Sequence, residues 1–80
     1  MEIGEVIRKR LEYFLAKKNM SRYRLSRLSG VSDTSIDNIV YQKNQAGSVK
    51  TILKICRALG ITMAEFFDDP SFEDENINID

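Results

Sequence analysis

Ser21, Arg22, Tyr23 and Arg24 bring a hydroxyl, two guanidinium groups and a phenol into four consecutive positions. They open an amphipathic segment at a point where helices normally gather acids that complement the backbone dipole. Here the opening turn is basic and Arg27 follows, an arrangement that a bound anion would relieve. A phosphate at such a start accepts from the backbone N–H groups that every helix leaves over and takes a bidentate contact from Arg22 or Arg24. A second segment places Ile36, Ile39 and Val40 at i, i+3, i+4 and leaves Thr34, Ser35, Asp37, Asn38 and Tyr41 outside. That outer face offers donors and acceptors together, which suits recognition of a polar partner.

No comparable set supports catalysis. The chain has no histidine, which excludes metal sites of the usual Cys/His type and Ser-His or Cys-His nucleophile pairs. Cys56 keeps core spacing with Ile52, Leu53 and Leu59 and reads as a small buried hydrophobe, with no basic neighbour to activate it. We therefore expect no enzyme activity, no cofactor and no metal. A lone cysteine forms no intrachain disulfide and fits a reducing cytoplasm. The opening residues MEIGEVIRKR are amphipathic and charged, unlike a signal peptide, and no apolar run reaches membrane-spanning length.

Helices must position these groups. With 80 residues and 42% hydrophobic content there is material for one small core. The spacing predicts a first helix from Ile3 to Lys18, with Ile3, Ile7, Leu11 and Phe14 inward and Arg8, Lys9, Glu12 and Lys17 outward. Asn19 and Met20 turn the chain. Ser21 caps a second helix with Leu25 and Leu28 as its inner stripe, Gly30 ends it and Val31 plugs the turn. Ser32 caps the third. Residues 21–41 thus have the sequence form of a helix-turn-helix. After the loop QKNQAG, Ser48 caps a fourth helix with Val49, Ile52, Leu53, Cys56 and Leu59 at core spacing, ending at Gly60. Thr62 to Glu65 form a capping box for a short fifth helix, whose Phe66 and Phe67 close the core. Pro70 stops that helix, and the acid-rich residues 70–80 are expected to stay disordered or to order only on a partner.

The formal net charge of zero hides a dipole. All twelve Lys and Arg residues lie within residues 1–60 against five carboxylates, a formal +7, and residues 61–80 hold the other seven acids for −7. A basic body with an acidic tail is the form of an anion-binding domain.

The whole pattern resembles the phage repressor and Cro-like helix-turn-helix family of bacterial transcription regulators, also called the XRE family, over about residues 3–69. Ser21 through Leu25, the Gly30-Val31-Ser32 turn, Ile36 and Ile39, and the stretch ILKICRALGITMAEFF carry the likeness. It implies an all-α, five-helix, lambda-repressor-like DNA-binding domain, here with a flexible acidic C-terminal tail.

By position, the resemblance assigns base reading in the major groove to Asp33, Thr34, Asp37 and Asn38. Asparagine matches adenine N6 and N7, and Thr34 offers a hydroxyl and a methyl for thymine, unless these are simply solvated. Asp33 suits the helix dipole without any DNA contact, whereas Asp37 either stays solvated or accepts from cytosine N4. Phosphate contacts fall to Ser21, Arg22, Tyr23, Arg24 and Ser35, then to Lys43, Asn44, Gln45 and Ser48 as a second clamp. Three positions depart from the family pattern: Gln42 replaces a helix-ending glycine, Gly47 a proline, and Ser26 an alanine.

The implied protein is a cytoplasmic, nucleoid-associated regulator, a repressor in the leading reading, that binds a double-stranded DNA operator as a homodimer. Its dimer contact is expected around Met63, Phe66 and Phe67 or in the tail. The zero net charge and acidic third helix favour a different class, an antitoxin or protein-interaction module that engages a partner through the last helix or the tail.

Overall fold

Four of the five helices begin where a hydroxyl takes a backbone N–H. In the computed structural model, which describes residues 1–41 and 48–78, they are α1 (Ile3–Lys17), α2 (Arg22–Ser29), α3 (Asp33–Tyr41), α4 (Val49–Leu59) and α5 (Met63–Phe67). The Oγ atoms of Ser21, Ser32 and Ser48 each accept from the backbone N–H three residues on, at 3.1 Å. Thr62 and Glu65 exchange the paired bonds of a capping box, at 3.0 and 3.1 Å. Each such cap contributes about 1 kcal/mol. Gly30 and Gly60 end α2 and α4 in the left-handed region, with φ of 75° and 74°. Asn19 takes φ of 52° in the turn after α1, a conformation asparagine tolerates better than other side-chain-bearing residues.

The architecture is all-α, with an isolated parallel bridge from Glu2 to Asn78 as the sole strand-like pairing among the described residues. α1 packs on α3, α2 lies against both α3 and α4, and α5 joins α4 and α1 at one end. One cluster fills the centre: Ile7, Leu11, Phe14 and Leu15 from α1, Leu25, Val31, three residues of α3, then Ile52, Ile55, Cys56, Leu59, Ile61 and Phe66. Burial pushes the Cys56 thiol above its ordinary pKa, in keeping with a core side chain.

Several helix-end side chains depart from the expected stripes. Ile3, Leu28 and Val49 are surface residues, Leu28 51% exposed and Val49 75%. Three residues turn a helix through about 300°, so Leu28 sits about 60° round from Leu25, and Val49 as far round from Ile52. In a short helix that offset is enough to reach solvent. Val6 and Ile55, absent from the expected stripes, are buried instead.

The acidic segment also differs from expectation as far as Asn78. α5 ends at Phe67, before Pro70, which instead opens a 3-10 turn (Pro70–Phe72), and a second turn follows (Asp74–Asn76). Phe72 packs edge-on against Phe67, with centroids 4.9 Å apart, and lies 6.4 Å from the Phe66 ring. Asn78 N–H donates to the Met1 carbonyl at 2.7 Å, and the Met1 amino group donates to the Asn76 carbonyl at 3.1 Å. Arg10 anchors the same region from α1. Its Nε donates to the Phe66 carbonyl at 2.7 Å, and Nη2 donates to those of Glu65 and Asp68 at 2.8 and 3.1 Å. A guanidinium thus satisfies carbonyls that the end of α5 leaves over. Its other Nη lies 3.6 Å from Asp69, whose carboxyl is held below its ordinary pKa by hydrogen bonds from the Ser71 hydroxyl and N–H and by Arg10 itself.

Candidate nucleic-acid interface

The turn between α2 and α3 fixes the relation of the two helices that carry most of the candidate residues. Val31 is buried and anchors it. Ser26 Oγ donates to the Val31 carbonyl at 2.8 Å, and Ser29 Oγ accepts from the Val31 N–H at 3.1 Å. Ser26, in the position of an alanine, therefore does more than fit: with Ser29 it satisfies both backbone groups of the turn's buried residue. A pattern of hydrophobic periodicity has no means of showing such bonds.

This geometry brings the start of α2 to the outer face of α3. Arg22 and Tyr23 share a cleft of about 240 Å³ with Asp33, Ile36 and Asp37. Tyr23 is 64% exposed, and the Arg27 guanidinium lies 5.9 Å from its ring centroid, a cation–π contact that enlarges the basic start of α2. Arg27 is the neighbour that the resemblance leaves unassigned. Arg24 is exposed and lines a second cleft of about 490 Å³ with Leu15, Ala16, Asn19, Met20 and Ser21, at the corner between α1 and α2.

On α3, Asp33, Thr34, Ser35 and Asp37 are exposed, and Asn38 is half-buried rather than fully outside. Asp33 sits in the first turn, where a carboxylate complements the dipole. Ser35 Oγ accepts from the Ser32 hydroxyl at 3.0 Å and keeps its own proton to donate. Ser21 and Ser48 are helix caps, and Ser48 additionally shares a 2.9 Å bond with the Thr51 hydroxyl. Lys43, Asn44 and Gln45, with the departures at Gln42 and Gly47, lie outside the described residues. Among the described residues no three His, Cys, Asp or Glu side chains converge as a metal site would require, and no helix is long and apolar enough to cross a membrane.

A family model described as the Cro/C1-type HTH DNA-binding domain matches residues 10–71. The chain belongs to this family. The matched span of the Cro/C1-type domain opens at Arg10 and takes in both helices of the motif, α4, α5 and Asp69. Over 67 residues the domain is 30% identical to the HTH-type transcriptional regulator PuuR of Escherichia coli (strain K12), and PuuR of Shigella flexneri matches to the same extent. These alignments take in 84% of this chain and 36% of each relative, so the chain spans about a third of their length. The crystal structure of the prophage Lp1 protein 11 superposes with a TM-score of 0.82 at 25% identity, over 92% of this chain and 99% of that one.

Proposed function

We propose that this Cro/C1-type domain is a sequence-specific regulator that binds double-stranded DNA, with residues 32–41 in the major groove, and that it acts as a repressor. The shared cleft of Arg22, Tyr23, Asp33 and Asp37 carries the reading, because it joins a cationic helix start to a polar helix face. A phosphate held by Arg22 and the N–H groups of α2 fixes the register of α3 on the duplex, and Arg24 and Tyr23 supply further backbone contacts. Sequence is then read by Thr34, Asp37 and Asn38, each good bidentate pair being worth roughly 1–3 kcal/mol against a wrong base. Asn38 enters this role half-buried, with less rotamer freedom to lose on binding. Asp33 acts on the helix dipole.

A single domain of this size buries too little surface for high specificity, so two copies act on a pseudo-palindromic operator with half-sites about 34–36 Å apart. Phe66, expected at the dimer contact, is fully buried in the core. The half-buried Met63 and the 37% exposed Phe67 remain as the surface groups of α5 for a second copy. Duplexes selected from a random library should share one two-fold motif with that spacing. Recovery of unrelated sequences would sink the specific reading, and reporter expression rising when the motif is placed in its promoter would sink repression.

A further inference from the structure

Lys50, Lys54 and Arg57 stand at i, i+4 and i+7 on α4, on the side opposite its buried Ile52, Ile55, Cys56 and Leu59. All three are exposed and form a stripe about 10 Å long. The sequence contains no Asp or Glu between Asp37 and Glu65, and among the described residues none of the three is in an ion pair. α4 packs on α2 and α5, and of this helix and its cap only Ser48 is among the phosphate contacts that the family resemblance assigns.

The opposite charge is also assembled and also unused. Glu73, Asp74 and Glu75 are consecutive and exposed, and none of them is in an ion pair among the described residues. They are held in a defined place: Glu73 N–H donates to the Pro70 carbonyl at 3.0 Å, Asn76 N–H to the Glu73 carbonyl at 2.9 Å, and the Asn76 side chain to the Pro70 carbonyl at 2.8 Å. The bridge from Glu2 to Asn78 and the Met1 bonds tie the following residues to the start of α1, so the acids are not paired with the α4 stripe of their own chain.

We infer that the stripe of Lys50, Lys54 and Arg57 is a docking surface for the Glu73, Asp74 and Glu75 carboxylates of a second copy of this chain. Three cations line one helix face, three exposed carboxylates follow one another at the start of one 3-10 turn, and among the described residues neither set is in an ion pair. The contact is heterologous, stripe to tail, and is distinct from a two-fold dimer through α5. Exposed pairs are individually weak and are screened within about 8 Å at physiological salt, so the association is a low-salt, high-concentration property. Lys50 lies two residues from Ser48, so a docked tail places negative charge beside a phosphate contact that the family resemblance assigns and competes with DNA; this consequence rests on DNA binding as proposed above, whereas the docking does not.

Sedimentation of the protein alone separates the two. At about 0.01 M salt, where the screening length is about 30 Å, the weight-average mass should rise with concentration past that of a two-fold dimer, and at about 1 M, where it is about 3 Å, this excess should vanish. Glu73→Gln/Asp74→Asn/Glu75→Gln and Lys50→Gln/Lys54→Gln/Arg57→Gln should each abolish the excess while leaving the circular dichroism unchanged. The charge-reversed forms K50E/K54E/R57E and E73K/D74K/E75K should not self-associate in this way separately, yet should associate when mixed. A wild-type mass independent of concentration at low salt overturns the inference, as does a tail variant that associates like wild type. Loss of DNA affinity in the Lys50→Gln/Lys54→Gln/Arg57→Gln variant with self-association intact also overturns it, and would reassign the stripe to the DNA backbone.

Discussion

At Gly30 the structure separates backbone strain from crowding. Its φ is +75°, yet a Cβ there would meet nothing within 4 Å. Gly30→Ala should therefore cost only the left-handed penalty, about 1–2 kcal/mol in urea unfolding, and Gly30→Asn less. A loss near zero would mean that the turn relaxes to another conformation. Asn38 and Arg22 test the division between reading and anchoring. Asn38→Ala should relax preference at one base position of a selected duplex, whereas Arg22→Ala should weaken all duplexes alike. A uniform loss from both would show that the contacts are sorted wrongly. The caps at Ser21, Ser32, Ser48 and Thr62 were legible in the sequence because a cap depends on residues three apart. The exposure of Leu28 and Val49 was not, because at a helix end it depends on which neighbour arrives to cover it. The half-burial of Asn38 was hidden for the same reason, whereas its place on α3 was legible from the spacing of Ile36, Ile39 and Val40.

Among the elements, α5 is the shortest helix and depends most on a distant residue. Arg10, more than fifty residues away in sequence, satisfies three carbonyls at its end. Arg10→Gln should destabilise the domain by about 2 kcal/mol, and Arg10→Lys should recover little of it, since a single ammonium does not reproduce the planar fork. Matching unfolding midpoints for Arg10→Gln and wild type would contradict that role. Charge and composition alone therefore do not show the turns of residues 70–78: they register the acids but not the cation on α1 that holds residues 65–69 just before them. The sign of the pH dependence follows from Asp69. Its pKa is lowered in the fold, so its contribution is present above the ordinary value of 3.8 and is lost as pH falls through the lower folded value. The protection of the Ser71 N–H, which donates to Asp69, measured as its exchange rate relative to an unstructured chain at the same pH, should fall on acidification through that range, and Asp69→Asn should remove this pH step. Protection that stays constant across that range in wild type would refute the assignment.

For the molecule as a whole, the sequence made the charge separation visible, and the proposed function gives it a use. The two helices nearest the proposed duplex divide the work: α2 brings Arg22, Arg24 and Arg27 without an acid in its first turn, whereas α3 brings no cation at all. In the proposed function, affinity comes from the basic body, and discrimination comes from a helix whose carboxylates resist phosphate. That division is the central claim, and a salt titration of binding to a selected operator, run beside a scrambled duplex of equal length, tests it most directly. With roughly five phosphates neutralised per protomer, log affinity per protomer should fall against log salt with a slope of about −4 to −5 for both duplexes. The operator should keep its advantage throughout. Equal affinity for the two duplexes at every salt concentration, or no measurable binding to either at low salt, would contradict the account.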